Sequence, residues 1–160
     1  MIDRDGYRSN VGIILINHDN KLFWGRRKGE DSWQFPQGGI YDLEKPEAAV
    51  LRELNEEVGL SPEHVKIIAR TNNWLYYDVP EIYNKNSRSF YRGQKQIWFL
   101  LQFIGKDYHI NVKHHKEQEF DAWRWIDYWQ PIDEVVNFKQ EVYKKALHEL
   151  FPYIKANINE

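Results

Sequence analysis

The feature that most constrains the fold is a short amphipathic pattern between Pro46 and Gly59. Proline suits the first turn of a helix and glycine is a common stop, so we predict a helix that begins near Pro46 and ends at Gly59. Its apolar side chains recur at helical spacing and form a single stripe, made of Val50, Leu51, Leu54 and Val58. Such a stripe requires another layer of structure to cover it.

Three glutamates, Glu53, Glu56 and Glu57, occupy the last turns of this helix. The C-terminal end of a helix carries partial negative charge, and side chains three or four residues apart are neighbours, so Glu53 faces two like charges. At about 100° per residue the three carboxylates centre roughly 120° from the apolar stripe, so we expect them to border the buried face rather than lie within it. Repulsion without visible compensation often marks a functional site.

The rest of the chain mixes strands and helices. Residues 11–17 and 21–25 are rich in β-formers and flank a turn at residues 18–20, which predicts a hairpin. We predict further strands at residues 65–69, 97–104 and 120–126, with 97–104 central and buried on both faces. Residues 138–151 predict a second amphipathic helix, and residues 81–93 a polar excursion. This mixture indicates an α+β fold, in which helices flank a mixed β-sheet.

Composition narrows the class of protein. The chain has 160 residues with a net charge of −2, which fits one domain spanning 1–160, with its core at about 3–150. No global positive field attracts nucleic acid, so a polyanion would need a local basic patch or a bound metal. There is no cysteine, which excludes disulfides, thiolate zinc sites and cysteine nucleophiles. Without a signal peptide or a long apolar run, we expect a cytoplasmic protein that has no membrane partner.

A spaced motif runs through the acidic helix. Gly38 is followed six positions on by Glu44 and, eight further on, by the run 52–60, whose letters are RELNEEVGL. Residues 38–60 resemble the complete signature of the Nudix hydrolase family, Gly-x5-Glu-x7-Arg-Glu-U-x-Glu-Glu-x-Gly-U, where U is aliphatic. The resemblance implies a Nudix fold, an α/β/α sandwich whose loop–helix–loop carries a metal site. It also implies hydrolysis of a nucleoside diphosphate linked to another group.

Hard divalent cations such as Mg²⁺ or Mn²⁺ prefer oxygen ligands and accept carboxylates beside substrate phosphates. We therefore expect Glu53, Glu56 and Glu57 to be metal ligands, since a bound cation would relieve their repulsion. The resemblance implies that Glu119, just before the strand at 120–126, completes the site. Glu53 is the first candidate for an additional role as general base, with Glu57 close behind, so these two are the predicted catalytic residues.

Three residues of the motif are predicted to orient the site rather than react. Gly38 allows the backbone to approach closely, because it has no side chain. Arg52 reaches a neighbouring carboxylate and holds its rotamer, and Glu44 is expected to be structural with it. The six histidines lack the spacing of a metal site, and we expect them on the surface.

Beyond the motif, stretches such as SWQFPQGGI, GQKQIWFLLQF and EFDAWRWIDYW resemble the bacterial RNA pyrophosphohydrolases, also described as dinucleoside polyphosphate hydrolases. The likeness runs from Asp3 to about Leu147. It implies conversion of a 5′ triphosphate or diphosphate end of RNA to a 5′ monophosphate, the step that starts RNA decay. No DNA partner is expected.

The basic run 26–28 could meet phosphates, and rings beside basic groups suit single-stranded RNA. With the subfamily resemblance, the predicted RNA-binding residues are Arg8, Arg27, Ser32, Tyr77, Gln94, Val136, Phe138 and Lys139. Phe138 alone is more typical of a residue that docks a helix onto the core.

Two alternatives remain open. A diadenosine polyphosphate hydrolase would use the same metals and a smaller substrate, and the sequence separates it poorly from an RNA enzyme. A Nudix module that binds nucleotides or RNA without turnover would usually show a degraded motif, whereas every motif position is intact here.

Overall fold

The computed structural model describes residues 1–83 and 91–158, so most of the predicted polar excursion, residues 84–90, lies outside the described part. Eight strands and three helices follow one another along the described part of the chain. They are β1 Tyr7–Ile16, β2 Leu22–Arg27, β3 Trp33–Gln34, β4 Gln37–Gly39, α1 Pro46–Val58, β5 Val65–Arg70, β6 Leu75–Asp78, β7 Gly93–Phe103, β8 Phe120–Ile126, α2 Gln130–Glu134 and α3 Gln140–Ile158. None of the described helices is long and apolar enough to cross a membrane.

The strands form one mixed sheet. Its main path has the order β3-β2-β1-β7-β5, while β4 pairs with β1, β6 with β7 and β8 with β2. The central pair, β1 and β7, is parallel from Tyr7 opposite Gly93 to Ile16 opposite Gln102, and the other pairs are antiparallel. The predicted central strand is therefore confirmed, as is the predicted hairpin between β1 and β2.

Alternation along β1 divides the core into two layers, because successive side chains point to opposite faces of a sheet. Val11, Ile13 and Leu15 pack on one face with the apolar stripe of α1. Ile14 and Ile16 pack on the other face with buried side chains of α3, among them Tyr143, Leu147 and Leu150. Helices thus cover both faces of the sheet, and the predicted α+β sandwich is confirmed.

The acidic helix has the predicted bounds. Pro46 is its first residue, and Gly59 ends it in the left-handed conformation at φ 78°. Because Gly59 has no Cβ, this conformation carries no steric cost. Val50, Leu54 and Val58 are fully buried, and Leu51 packs against the same cluster.

The last helix differs from its prediction at both ends. It begins at Gln140, so Phe138 and Lys139 lie in the 3₁₀ turn Asn137–Lys139 that precedes it. It also continues through Pro152 to Ile158. Strand β6 and the short helix α2 were not predicted.

Candidate functional site

Strand β4, which precedes the loop to α1, lies directly against the glutamates of the helix. A Cβ on Gly38 would lie 1.9 Å from Cδ of Glu53, so only glycine leaves room for this carboxylate. The backbone N–H of Gln37 donates a hydrogen bond to Oε2 of Glu57 at 3.2 Å. Strand β4 is itself held by antiparallel pairing with β1, so the central sheet fixes its position.

Glu53 and Glu57 are both buried, each with 8% of its surface exposed, while Glu56 is half-buried. The expectation that the glutamates only border the buried face was therefore wrong for these two. The predicted angle of roughly 120° between the carboxylates and the apolar stripe considers the helix alone. Strand β4 and the loop after it also cover this side of α1, and they bury the carboxylates further.

Arg52 ties the motif together. Its Nε and Nη2 donate to the two carboxylate oxygens of Glu44, both at 2.9 Å, and Nη2 also donates to the carbonyl of Gly39 at 2.7 Å. Nη1 donates to Oε1 of Glu53 at 2.8 Å. The guanidinium lies 3.9 Å from the centre of the Tyr41 ring. This network links the loop, Glu44 and Glu53, and the Arg52 hydrogen bonds lower the pKa of the Glu44 carboxyl.

The buried carboxyls are held in an environment that disfavours their charge. Burial raises the pKa of Glu57 well above its ordinary value, and the nearby charges of Glu119 and Glu53 raise it further. Burial also raises the pKa of Glu53, although the Arg52 hydrogen bond opposes this. A positive charge bound nearby would therefore stabilise the ionised form of both carboxyls.

These carboxylates line a cleft of about 550 Å³, which we name the acid cleft. Its lining residues are Lys28, Gln37, Gly38, Tyr41, Glu53, Glu56, Glu57, His115, Lys116, Glu117, Gln118 and Glu119. All four predicted metal ligands, Glu53, Glu56, Glu57 and Glu119, thus share one cleft, although they come from α1 and from the chain just before β8.

The donor set of the acid cleft suits a hard divalent cation, since it consists of carboxylate oxygens beside a glycine that lets the backbone approach. Across residues 1–83 and 91–158, no three side chains of His, Asp or Glu already form a ligand arrangement. Among the residues that the structure describes, the guanidinium of Arg52 is instead the cation nearest two of these carboxylates, 2.8 Å from Glu53 and 3.5 Å from Glu56.

A second cleft, of about 490 Å³, adjoins the first and shares Gln37, Gly38 and Glu119 with it. We name it the ring cleft. Its remaining lining residues are Asn10, Arg27, Glu30, Gln34, Tyr77, Val79, Tyr91, Gln94, Phe138 and Lys139. The rings of Tyr77 and Phe138 lie 5.9 Å apart at an interplanar angle of 40°. Five predicted RNA-binding residues therefore meet here: Arg27, Tyr77, Gln94, Phe138 and Lys139.

The other three predicted RNA-binding residues lie beside the ring cleft. Ser32 and Val136 line an adjoining hollow, which shares five residues with the ring cleft: Arg27, Glu30, Gln34, Phe138 and Lys139. Arg8 does not line any of these clefts, but its guanidinium lies 4.3 Å from the centre of the Tyr91 ring, which does.

Lys139 and Arg27 differ in how available their charges are. Lys139 is buried, and its Nζ donates to Oε1 of the buried Gln34 at 3.0 Å. Burial, aided by the charge of Arg27, lowers the pKa of Lys139 to about 8. Arg27 is half-exposed and lies between two carboxylates, 3.3 Å from Glu30 and 3.5 Å from Glu119. Arg27 thus connects the ring cleft to the acid cleft.

A buried amide network, which the sequence did not indicate, underlies the ring cleft. Nε2 of the fully buried Gln96 donates to Oδ1 of Asn10 at 2.9 Å, and its Oε1 accepts from the indole N–H of Trp98 at 3.0 Å. Longer contacts of 3.4 and 3.5 Å join Gln96 to Gln37 and Gln37 to Gln94. In the sequence, Gln96 is the last residue of a short polar run, 94–96, that precedes the apolar part of β7.

The fold and the acid cleft together define a class: an α+β sandwich in which a loop and helix present a carboxylate cluster beside the central sheet. The NUDIX domain model matches residues 6–147. The chain therefore belongs to the Nudix family, whose hydrolases act on phosphoanhydride substrates and generally use divalent metals such as Mg²⁺ or Mn²⁺.

Solved structures show the same fold. The Escherichia coli dihydroneopterin triphosphate pyrophosphohydrolase is 16% identical, with a TM-score of 0.70 over 89% of this chain and 98% of that one. A Caenorhabditis elegans Ap4A hydrolase is 15% identical, with a TM-score of 0.66 over 94% and 98%. The NUDIX domain of Shewanella oneidensis NrtR, solved with ADP ribose, is 14% identical, with a TM-score of 0.56 over 95% and 88%.

Proposed function

We propose that this Nudix hydrolase removes pyrophosphate from the 5′ triphosphate end of RNA, or phosphate from a 5′ diphosphate end. The product is a 5′ monophosphate, and the step would start decay of the transcript. The observation that carries the proposal is the shared wall between the two clefts, formed by Gln37, Gly38 and Glu119. A terminal nucleotide in the ring cleft would place its phosphates at the acid cleft.

The ring cleft offers chemistry that suits a nucleotide of single-stranded RNA. Tyr77 and Phe138 provide aromatic surface, on which an unstacked base can lie. Gln94 and Gln37 provide amide groups for base edges, and Arg27 provides a half-exposed cation for the backbone. Ser32 and Val136, in the adjoining hollow, extend the same surface toward a second nucleotide.

In the acid cleft we assign Glu53, Glu56, Glu57 and Glu119 as the residues that would hold a divalent metal. When bound there, the metal would screen the phosphate charge, polarise a phosphoryl oxygen and lower the pKa of the attacking water. Glu53 accepts the proton of this water, with Glu57 as the second candidate. Arg52 keeps the Glu53 carboxylate in place through its 2.8 Å hydrogen bond. Gln37 does the same for Glu57 through its backbone N–H.

A diadenosine polyphosphate is the second candidate substrate, since one of the structural neighbours is an Ap4A hydrolase. Its adenosine would occupy the ring cleft, and the same carboxylates would act on its phosphates.

Competition separates the two substrates. Triphosphorylated RNA and diadenosine pentaphosphate are offered together with Mg²⁺, and kcat/KM is determined for each. We expect faster turnover of the RNA, and an Ala substitution of Phe138 should lower kcat/KM for RNA while the fold is retained. Faster turnover of the dinucleotide would overturn the RNA assignment. Absence of hydrolysis of either substrate, with Mg²⁺ or Mn²⁺, would instead indicate a binding module.

A further inference from the structure

Strand β8 is preceded by a basic segment, residues 113–116, whose four letters are KHHK. The structure divides this segment in two. His115 and Lys116 line the acid cleft, whereas Lys113 and His114 do not. Lys28, the residue after β2, lines the same cleft, and its backbone N–H donates to the carbonyl of Glu119 at 2.8 Å. Two exposed lysines and a half-buried histidine therefore line a cleft in which two of the glutamates, Glu53 and Glu57, are buried.

The side-chain donors of Lys28, His115 and Lys116 are available to bind a ligand. Within residues 1–83 and 91–158, neither Lys28 nor Lys116 forms an ion pair with any carboxylate, although five glutamates line the cleft. Nδ1 of His115 accepts the backbone N–H of Glu117 at 3.2 Å. A neutral imidazole that accepts at Nδ1 carries its proton at Nε2, so His115 can donate a hydrogen bond there.

We propose that Lys28, His115 and Lys116 form a cationic rim that binds the phosphate groups beyond the cleaved bond, the part of the substrate that leaves. The proposal rests on the phosphoanhydride hydrolysis above and adds the residues that receive the leaving phosphates. Hydrolysis breaks the bridging P–O bond, water supplies oxygen to one phosphorus, and the leaving phosphate keeps the bridging oxygen and its electron pair. Ammonium groups at the rim stabilise this developing charge.

The rim would also let the enzyme distinguish substrates by the number of phosphates that leave. A 5′ triphosphate end releases pyrophosphate, which spans more of the rim than the single phosphate that a 5′ diphosphate end releases. Loss of a rim cation should therefore affect the triphosphate substrate more. The RNA assignment is not required for this, since any nucleoside polyphosphate has the same leaving groups.

The test compares two lysines of one segment. Lys116→Ala and Lys113→Ala remove the same charge, but only Lys116 lines the acid cleft. Calorimetric titration with inorganic pyrophosphate and Mg²⁺, at constant ionic strength, measures the affinity of the leaving group in the absence of the nucleotide part of the substrate. We expect Lys116→Ala to weaken pyrophosphate binding about five- to twentyfold. Lys113→Ala should change it less than about twofold, and Lys116→Arg should retain most of the affinity.

A kinetic comparison completes the test. Lys116→Ala should lower kcat/KM more for a 5′ triphosphate than for the matching 5′ diphosphate, while Lys113→Ala lowers neither. Equal losses of pyrophosphate affinity and kcat/KM in Lys116→Ala and Lys113→Ala, or no loss in either variant, would overturn the proposed role of the rim. Failure of the wild-type protein to hydrolyse any phosphoanhydride would refute the proposed function and, with it, the leaving-group role of the rim. The pyrophosphate titration would still show separately whether Lys116 binds phosphate. Melting temperatures close to wild type show that each variant is folded.

Discussion

Two adjacent glycines of strand β4, Gly38 and Gly39, allow a direct test of how this strand makes room for Glu53. In Gly38→Ala the new Cβ would lie 1.9 Å from Cδ of Glu53 and 2.2 Å from both of its carboxylate oxygens. In Gly39→Ala the nearest atom, the carbonyl oxygen of Ser9, is 3.9 Å away, an ordinary contact. The two variants add the same methyl group to the same strand, but only Gly38→Ala displaces a carboxylate.

The size of the effect follows from this overlap. Non-bonded carbon atoms at optimal separation are about 3.5–4.0 Å apart, so the Glu53 carboxylate must move by more than about 1 Å. A misplacement of about 1 Å at a reacting centre costs on the order of 100-fold in rate. The overlapping atoms are the end of a flexible side chain, so the fold should accommodate the methyl group. We expect Gly38→Ala to lower kcat about 100-fold or more, with a free energy of unfolding within about 1 kcal/mol of wild type.

The assay measures kcat and KM for a 5′ triphosphorylated oligonucleotide with Mg²⁺, together with thermal unfolding of each variant. Gly39→Ala should keep activity within about threefold of wild type, since its methyl group makes only an ordinary contact. In a Glu53→Gln background, Gly38→Ala should cause little further loss, because both changes remove the same function. Near-wild-type activity of Gly38→Ala, or an equal loss in Gly39→Ala, would refute the argument that this glycine makes room for Glu53.

Three further predictions concern other parts of the network. Arg52→Lys should lower kcat about tenfold or more at similar KM, because lysine cannot hold Glu44 with two parallel hydrogen bonds, and unchanged steady-state kinetics would contradict this. The folded protein releases the Lys139 proton near pH 8, whereas the unfolded chain keeps it up to about pH 10.5. Stability rises with pH wherever the unfolded state binds more protons, so burial of Lys139 costs less free energy as the pH rises from 8 to 10.5. In denaturant unfolding, the free energy of unfolding of the wild-type protein should therefore increase by up to about 3 kcal/mol relative to that of Lys139→Met between pH 8 and 10.5. A difference between the two proteins that does not change with pH would contradict the lowered pKa. Gln96→Leu should destabilise the protein by about 2–4 kcal/mol in the same assay, because it leaves the buried indole N–H of Trp98 without its acceptor, and a loss below about 1 kcal/mol would show that the network matters little.

Elements whose signals are local were predictable from the sequence. Pro46 and Gly59 mark the ends of α1 through backbone preferences that need no tertiary contact. The apolar runs of β1 and β7 likewise identify the buried centre of the sheet. Strand β6 escaped prediction because it is defined by pairing with β7, where Tyr77 lies opposite Gln94. Such pairing depends on partners distant in sequence.

The candidate site was predictable to the extent that its residues share a motif. The spacing of the Nudix motif brought the three helical glutamates together, but their burial depends on strand β4, which covers them. The pairing of Asn10 with Gln96 joins residues 86 positions apart through the parallel register of β1 and β7. His115 was expected on the surface, and its place at the acid cleft follows from how the segment before β8 folds back.

The central claim is that the buried carboxylates of α1 are stable together because a divalent cation binds against them. Titration of the protein with Mn²⁺ in the presence of pyrophosphate, followed by electron paramagnetic resonance, tests it directly. We expect saturable Mn²⁺ binding to the wild-type protein and affinity at least about tenfold weaker in Glu57→Gln, whose side chain has nearly the same shape. Mn²⁺ binding that is absent from the wild-type protein, or equally tight in Glu57→Gln, would contradict the claim.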